Sequence, residues 1–180
     1  MALRLNGSTS GYVELNAPAV AGSQSLTIPY GILQVKNAHK TDSELYTPNT
    51  TWTDVADLSV SITPSSSSNN VYITATVNAA TNARAHFRIL RGSTPIAVGN
   101  AASSRPQAFA SDFQRTSGPN IISASISWLD SPSTTSATTY KIQTRMDGPG
   151  NLYINMSYDD YDTGSYGRTV CSIIVMEAIP

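Results

Sequence analysis

Apolar and polar residues alternate one by one along most of this 180-residue chain, and that two-residue period constrains the fold more than any other feature. Successive side chains of an extended backbone point to opposite faces, so such a run belongs to a strand with one buried and one wet side. The alternation passes through Leu58, Val60 and Ile62, through Val71, Ile73, Ala75 and Val77, and through Ile122, Ala124, Ile126 and Trp128. It recurs at Ala83, Ala85, Phe87 and Ile89, at Tyr140, Ile142 and Thr144, and at Leu152, Ile154 and Met156. β-Branched residues and serine dominate these runs, and the Ala-Leu-Glu-Lys periodicity of amphipathic helices is missing. About eight such segments, parted by turn-forming stretches, predict an all-β fold: an antiparallel β-sandwich of jelly-roll type. Leu58–Ile62, the Ser/Asn-rich stretch 64–70 and Val71–Val77 read as a hairpin. Trp128 is expected in the core, and the face bearing Arg84, His86, Arg88 and Leu90 is expected to be wet.

Residues 1–30 read as an attachment arm ahead of a sandwich domain at 31–180. Three short alternating segments hold the pairs Leu3 and Leu5, Val13 and Leu15, and Leu26 and Ile28, with Gly-, Ser- and Pro-containing turns between them. Three strands of about five residues cannot enclose a core, so these six side chains are the expected docking face. Pro29-Tyr30-Gly31 reads as a hinge. At the other end, a strand from Thr169 to Glu177 has apolar side chains on both faces, which implies burial on both sides. Val170, Ile174 and Met176 are therefore expected to meet a neighbouring copy in a homo-oligomer, a trimer being the first arrangement to consider.

Charged residues make up 13% of the chain, about half the usual fraction. With 11 Lys and Arg against 12 Asp and Glu, the net charge is −1, and there is no electrostatic footprint for nucleic acid. No apolar run approaches the roughly 20 residues of a membrane span, and the start lacks the basic, then apolar, pattern of a secretory signal. The chain is expected to be made in the cytoplasm and to remain soluble. A single cysteine, Cys171, excludes an internal disulfide and sits in an apolar run as a buried thiol.

Chemistry is sparse. His39 and His86 lack metal-ligand spacing to any His, Cys or carboxylate. Gly7-Ser8-Thr9-Ser10-Gly11 has threonine, not serine, at its centre, and no helix follows it. Many serines could join a Ser-His-Asp triad, yet nothing selects one. No catalytic residue, metal or cofactor is assigned. The stretch 158–167 concentrates acids and tyrosines; Tyr158, Asp160, Tyr161, Asp162 and Tyr166 form a candidate contact loop, because tyrosine offers large area at low entropic cost. A solvated turn is the plain alternative. Trp52, between Thr51 and Thr53 in a polar stretch, reads as either a core residue or a sugar platform. Arg84, Arg88, Arg91 and Arg105 could line an acidic-polysaccharide or protein contact, a solvated strand face being the plainer reading.

The order of several stretches, LRLNGSTSGYVELNAPAVAGSQSLTIP, GILQVKNAHKTD, TTWTDVADLSVSITPSSSSNNVYI, ISWLDSP, TTYKIQ and TVCSIIVMEAIP, resembles the β-rich virion structural proteins of tailed bacteriophages, especially phages of cyanobacteria. The resemblance covers nearly the whole chain, and its specificity lies in the order of short motifs. It implies a non-enzymatic tail-fibre or capsid-decoration protein, located in the virion and docked by its arm onto other capsid or tail proteins. The chain has neither heptads nor a long repeat with which to build a stalk. A capsid knob or stubby fibre is therefore expected. The alternative is a lectin-like module that recognises host surface polysaccharide.

Overall fold

The computed structural model describes residues 3–6, 12–15, 31–47, 49–113 and 118–180. All the regular structure among them is strand. Two short strands come first, β1 (Leu3–Asn6) and β2 (Tyr12–Leu15), followed by β3 (Ile32–Lys40), β4 (Glu44–Tyr46), β5 (Thr53–Ile62) and β6 (Asn70–Thr81). Next are β7 (Arg84–Arg91), β8 (Thr94–Ile96), β9 (Ala110–Ser111), β10 (Ile122–Asp130), β11 (Thr138–Asp147), β12 (Leu152–Ile154) and β13 (Cys171–Ala178).

Every pairing is antiparallel, and from β3 onward the strands form two sheets. In sheet I the long β6 carries β10 along one edge, and β13 and then β12 along the other. Outside these, β3 lies on β13 and β4 on β12. Sheet II runs β5-β11-β7, with β8 and β9 on the far edge of β7. The faces that meet are those the alternation marks: Val71, Ile73, Val77, Ile173 and Val175 from sheet I, and Val60, Ile62, Phe87, Ile89 and Ile142 from sheet II, all buried. Each such side chain contributes about 1.5–3 kcal/mol on leaving water. Phe113 packs edge-on against Phe87, with ring centroids 4.9 Å apart. β5 carries an irregularity: Lys141 faces Ser59 but Gln143 faces Asp54. Asp57 takes φ 61° there, and both Val55 and Leu58 reach the core.

Several expectations need correction. Residues 64–70 do not close a hairpin: β5 pairs with β11 and β6 with β10 and β13, so this turn carries the chain from one sheet to the other. Alternation is the same whether consecutive strands lie in one sheet or in two, and here they lie in two. Trp128 has the inward register, opposite Ile73, yet is 43% exposed, because edge strand β10 gives its inward side chains neighbours on one side only. The face of β7 expected to be wet buries His86 and Leu90; Leu90 is flanked by Pro95 and Lys141 on the adjoining strands. The strand at Leu152 stops before Met156 because Asn155 turns the backbone to φ 59°, a conformation asparagine tolerates, and donates to the carbonyls of Lys40 and Asp42.

The last strand begins at Cys171 rather than Thr169, and within one chain only one of its faces is fully buried. Cys171, Ile173, Val175 and Glu177 are buried, whereas Ser172, Ile174, Met176 and Ala178 are half-buried. β1 and β2 pair with each other, with Leu3 opposite Leu15 and Leu5 opposite Val13. The expected third arm segment, Leu26 and Ile28, lies outside the described residues, as do Pro29 and Tyr30.

Candidate functional site

Four of the five side chains proposed for the contact loop share one concavity of about 320 Å³, formed by Asp160, Tyr161, Asp162, Thr163, Tyr166 and Arg168. The turn is held by its own backbone, with Thr163 donating to the Tyr161 carbonyl and Tyr166 to that of Thr163. Tyr161 and Tyr166 stand edge to face at 5.4 Å, and Tyr161 is 61% exposed. Arg168 grips both carboxylate oxygens of Asp160, which holds the guanidinium charge above its ordinary proton affinity. Tyr158 does not join them. Its ring packs on Tyr153 at 5.2 Å and its hydroxyl accepts from Asn82, so it supports the turn. Asp159 likewise accepts from the Gly118 amide at 2.6 Å. Sequence reasoning missed Arg168: it lies eight residues from its partner, and no local spacing marks the pair.

A second cluster occupies the outer face of sheet II. The Arg88 guanidinium lies 4.2 Å from the Trp52 ring centroid and that of Arg145 lies 5.9 Å away, within the range of cation–π attraction. Cross-strand register builds the rest, since Gln143 faces both Arg88 and Asp54. Arg88 donates through Nε and Nη2 to Gln143 Oε1, and Gln143 donates on to Asp54. Lys141 reaches the other Asp54 oxygen at 2.7 Å, and Arg145 reaches Asp147 at 2.5 Å. Burial pulls the Arg88 proton affinity down, and the like charge of Arg145 adds to the effect. Burial pushes the Asp54 carboxyl up, but hydrogen bonds from Lys141 and Gln143 outweigh it and hold Asp54 below the usual carboxylate range. Beside this cluster opens a cleft of about 210 Å³, lined in part by Thr47, Asn49, Thr51, Thr53, Thr144 and Arg145. Arg84, Arg91 and Arg105 are not in this cluster as described; Arg91 pairs with Asp130 at the far end of β7.

On the same sheet His86 links Ser111 to Asp147, with Nδ1 3.0 Å from the Ser111 hydroxyl and Nε2 3.0 Å from the carboxylate. This is the Ser-His-Asp line that no sequence signal selected, because its members come from three strands. The amide of Asp112, next to Ser111, donates to the Ala85 carbonyl. That donor is therefore spent in the sheet rather than aimed at an oxyanion.

The outer face of sheet I is of another kind. Register places Leu129, Tyr72, Met176 and Val35 in one row across four strands. Ser127, Thr74, Ile174 and Asn37 form the next row, and Ser125, Thr76, Ser172 and His39 the third. None of these side chains is Lys, Arg, Asp or Glu, and Leu129, Tyr72 and Val35 are exposed. Ile174 and Met176, proposed as oligomer contacts, belong to this face. Val170 is exposed but precedes the strand. The chain matches no protein-family model and no curated protein.

Proposed function

We propose that this chain is a non-enzymatic structural protein of a bacteriophage exterior, a capsid knob or stubby fibre held by its N-terminal arm and by contacts between copies. One observation carries the reading: three rows across four strands of one sheet face without a formal charge, the first being Leu129, Tyr72, Met176 and Val35, of which Leu129, Tyr72 and Val35 are exposed. Depletion of charge around an apolar centre is the signature of an interface core, and a monomer's outer surface seldom carries it. The arm supports the reading. β1 and β2 form a two-stranded sheet of their own, and an isolated hairpin is marginally stable in water, so docking would complete it. The resemblance of its motif order to tailed-phage virion proteins suggests the setting.

Two variants test it. A chain lacking residues 2–28 should give a folded sandwich that no longer joins particles. Tyr72→Lys with Val35→Lys should stay folded and sediment as a monomer, where the parent chain forms a homo-oligomer, three copies being the first stoichiometry to examine by native mass measurement. Normal particle incorporation by the truncated chain, or a monomeric parent at micromolar concentration, would overturn the proposal.

A further inference from the structure

We infer that the cleft beside Trp52 on sheet II binds a carboxylate-bearing sugar, a uronic-acid residue of an acidic polysaccharide. Charge is the first argument. Lys141 reaches Asp54, Arg88 reaches it only through Gln143, and Arg145 reaches Asp147, so the cluster has one more cation than anion, and Arg145 is the member that lines the cleft. The side chains of Lys141 and Arg145 are only 27% and 23% exposed, and partly desolvated charge gains more from a counter-ion than charge in bulk water does. The Tyr161 concavity has the opposite balance, with Asp160 and Asp162 against Arg168 alone, and is unsuited to an acid.

The second argument is an unmet donor. Nε of Arg145 is buried and has no hydrogen-bond partner among the described residues, although folded proteins leave few such groups. Arg145 both flanks the Trp52 ring and lines the cleft. A planar carboxylate there would match the guanidinium fork.

The third argument is the lining. Thr47, Asn49, Thr51 and Thr53 line the cleft with neutral hydroxyl and amide groups, the complement of sugar hydroxyls, while the buried Thr144 hydroxyl is committed to the His86 carbonyl. At about 210 Å³ the cleft has room for a single ring. Trp52 lies in sequence between the lining residues Thr51 and Thr53, and its ring centroid is 5.9 Å from the guanidinium of the lining Arg145, so its indole is placed to report an occupant.

The test uses the full chain with Trp128→Phe, which leaves Trp52 as the only indole. Its fluorescence is followed on titration with tri-galacturonate, maltotriose and inorganic phosphate. A saturable change with tri-galacturonate alone, weakening as salt is raised, is expected. Arg145→Gln should weaken it about tenfold or more, the loss typical of a charged hydrogen bond, and Arg145→Lys, which keeps the charge but not the fork, should weaken it too. Tyr72→Lys should bind as the parent does, which separates this site from the assembly face. No response, an equal response to maltotriose or phosphate, or undiminished binding by both Arg145 variants would overturn the inference.

Discussion

The side-chain amide of Asn69 donates to the carboxylate of Glu177 across 2.6 Å, tying the turn between the two sheets to the last strand. The same oxygen accepts from the amide and hydroxyl of Ser65, and the other accepts from Gln34 at 2.6 Å. Burial opposes ionisation of Glu177, but these donors outweigh it and pull its pKa from 4.5 down to about 2. A carboxyl depressed on folding stabilises fully above its unfolded value, and that contribution is lost as pH falls through the folded value. Glu177→Gln should therefore cost about 2 kcal/mol near neutrality and flatten the loss of stability between pH 4.5 and about 2. Urea unfolding across that range checks it; an unchanged acid limb would refute the assignment.

Asp130 closes the opposite side of the sandwich. The buried Tyr140 hydroxyl donates to it at 2.6 Å and Arg91 at 2.9 Å, joining edge strand β10 to sheet II. Burial and the neighbouring Asp130 carboxylate push Tyr140 ionisation well above its ordinary range. Asp130→Ala strands two donors and should cost about 3 kcal/mol, whereas Tyr140→Phe removes one partner and should cost about 1 kcal/mol. Equal losses in chemical denaturation would contradict this ranking.

Lys40 is 1% exposed, yet its partners Asp42 and Asp57 keep most of their contact with water, and Glu44 lies 2.8 Å away. Burial works against the ammonium, but Glu44 and Asp42 outweigh it and hold Lys40 above its usual value. Replacing a buried ion by an apolar side chain of similar length forfeits the pairing but also removes the desolvation cost. Lys40→Met should thus fall within about 1 kcal/mol of the parent in stability. NMR titration should show the Asp42 carboxyl, now held low by Lys40, returning upward. A severe loss of stability would show that the pairing outweighs the desolvation.

Gly150 sits where β11 turns toward β12. A Cβ there would collide with the Asn82 carboxamide and come within 3.0 Å of the Ala83 methyl, while Asn82 also accepts from the Asn151 amide at 2.9 Å. Gly150→Ala should cost about 1–3 kcal/mol. Gly99→Ala, with nothing within 4 Å of the added carbon, is the control and should change thermal stability by no more than about 0.5 kcal/mol.

The inward sets of β6 and β13 could be read from alternation because the change of face at each residue is a local property of an extended chain. The pairing of β5 with β11 could not, since their register joins Ile62 to Thr138 across the length of the domain. The contact loop was legible as a cluster of tyrosines and acids. Its division was not: Tyr158 turned to Tyr153 and Asp160 to Arg168 only once those partners had been brought near. Trp52 was an isolated aromatic in a polar stretch until β7 and β11 set Arg88 and Arg145 beside it.

What the sequence determined by itself is the strand character of the chain and the side of each central strand that turns inward, because both follow from the period of the apolar residues. Tertiary structure decided the rest. It placed Trp128 on an exposed edge, made residues 64–70 a crossing between sheets, gathered three cations on two carboxylates beside a cleft, and aligned Leu129, Tyr72, Met176 and Val35 in one uncharged row. Each of these depends on which strand lies beside which. Strand pairing is set by contacts between distant segments, and an alternating pattern accepts many partners equally well.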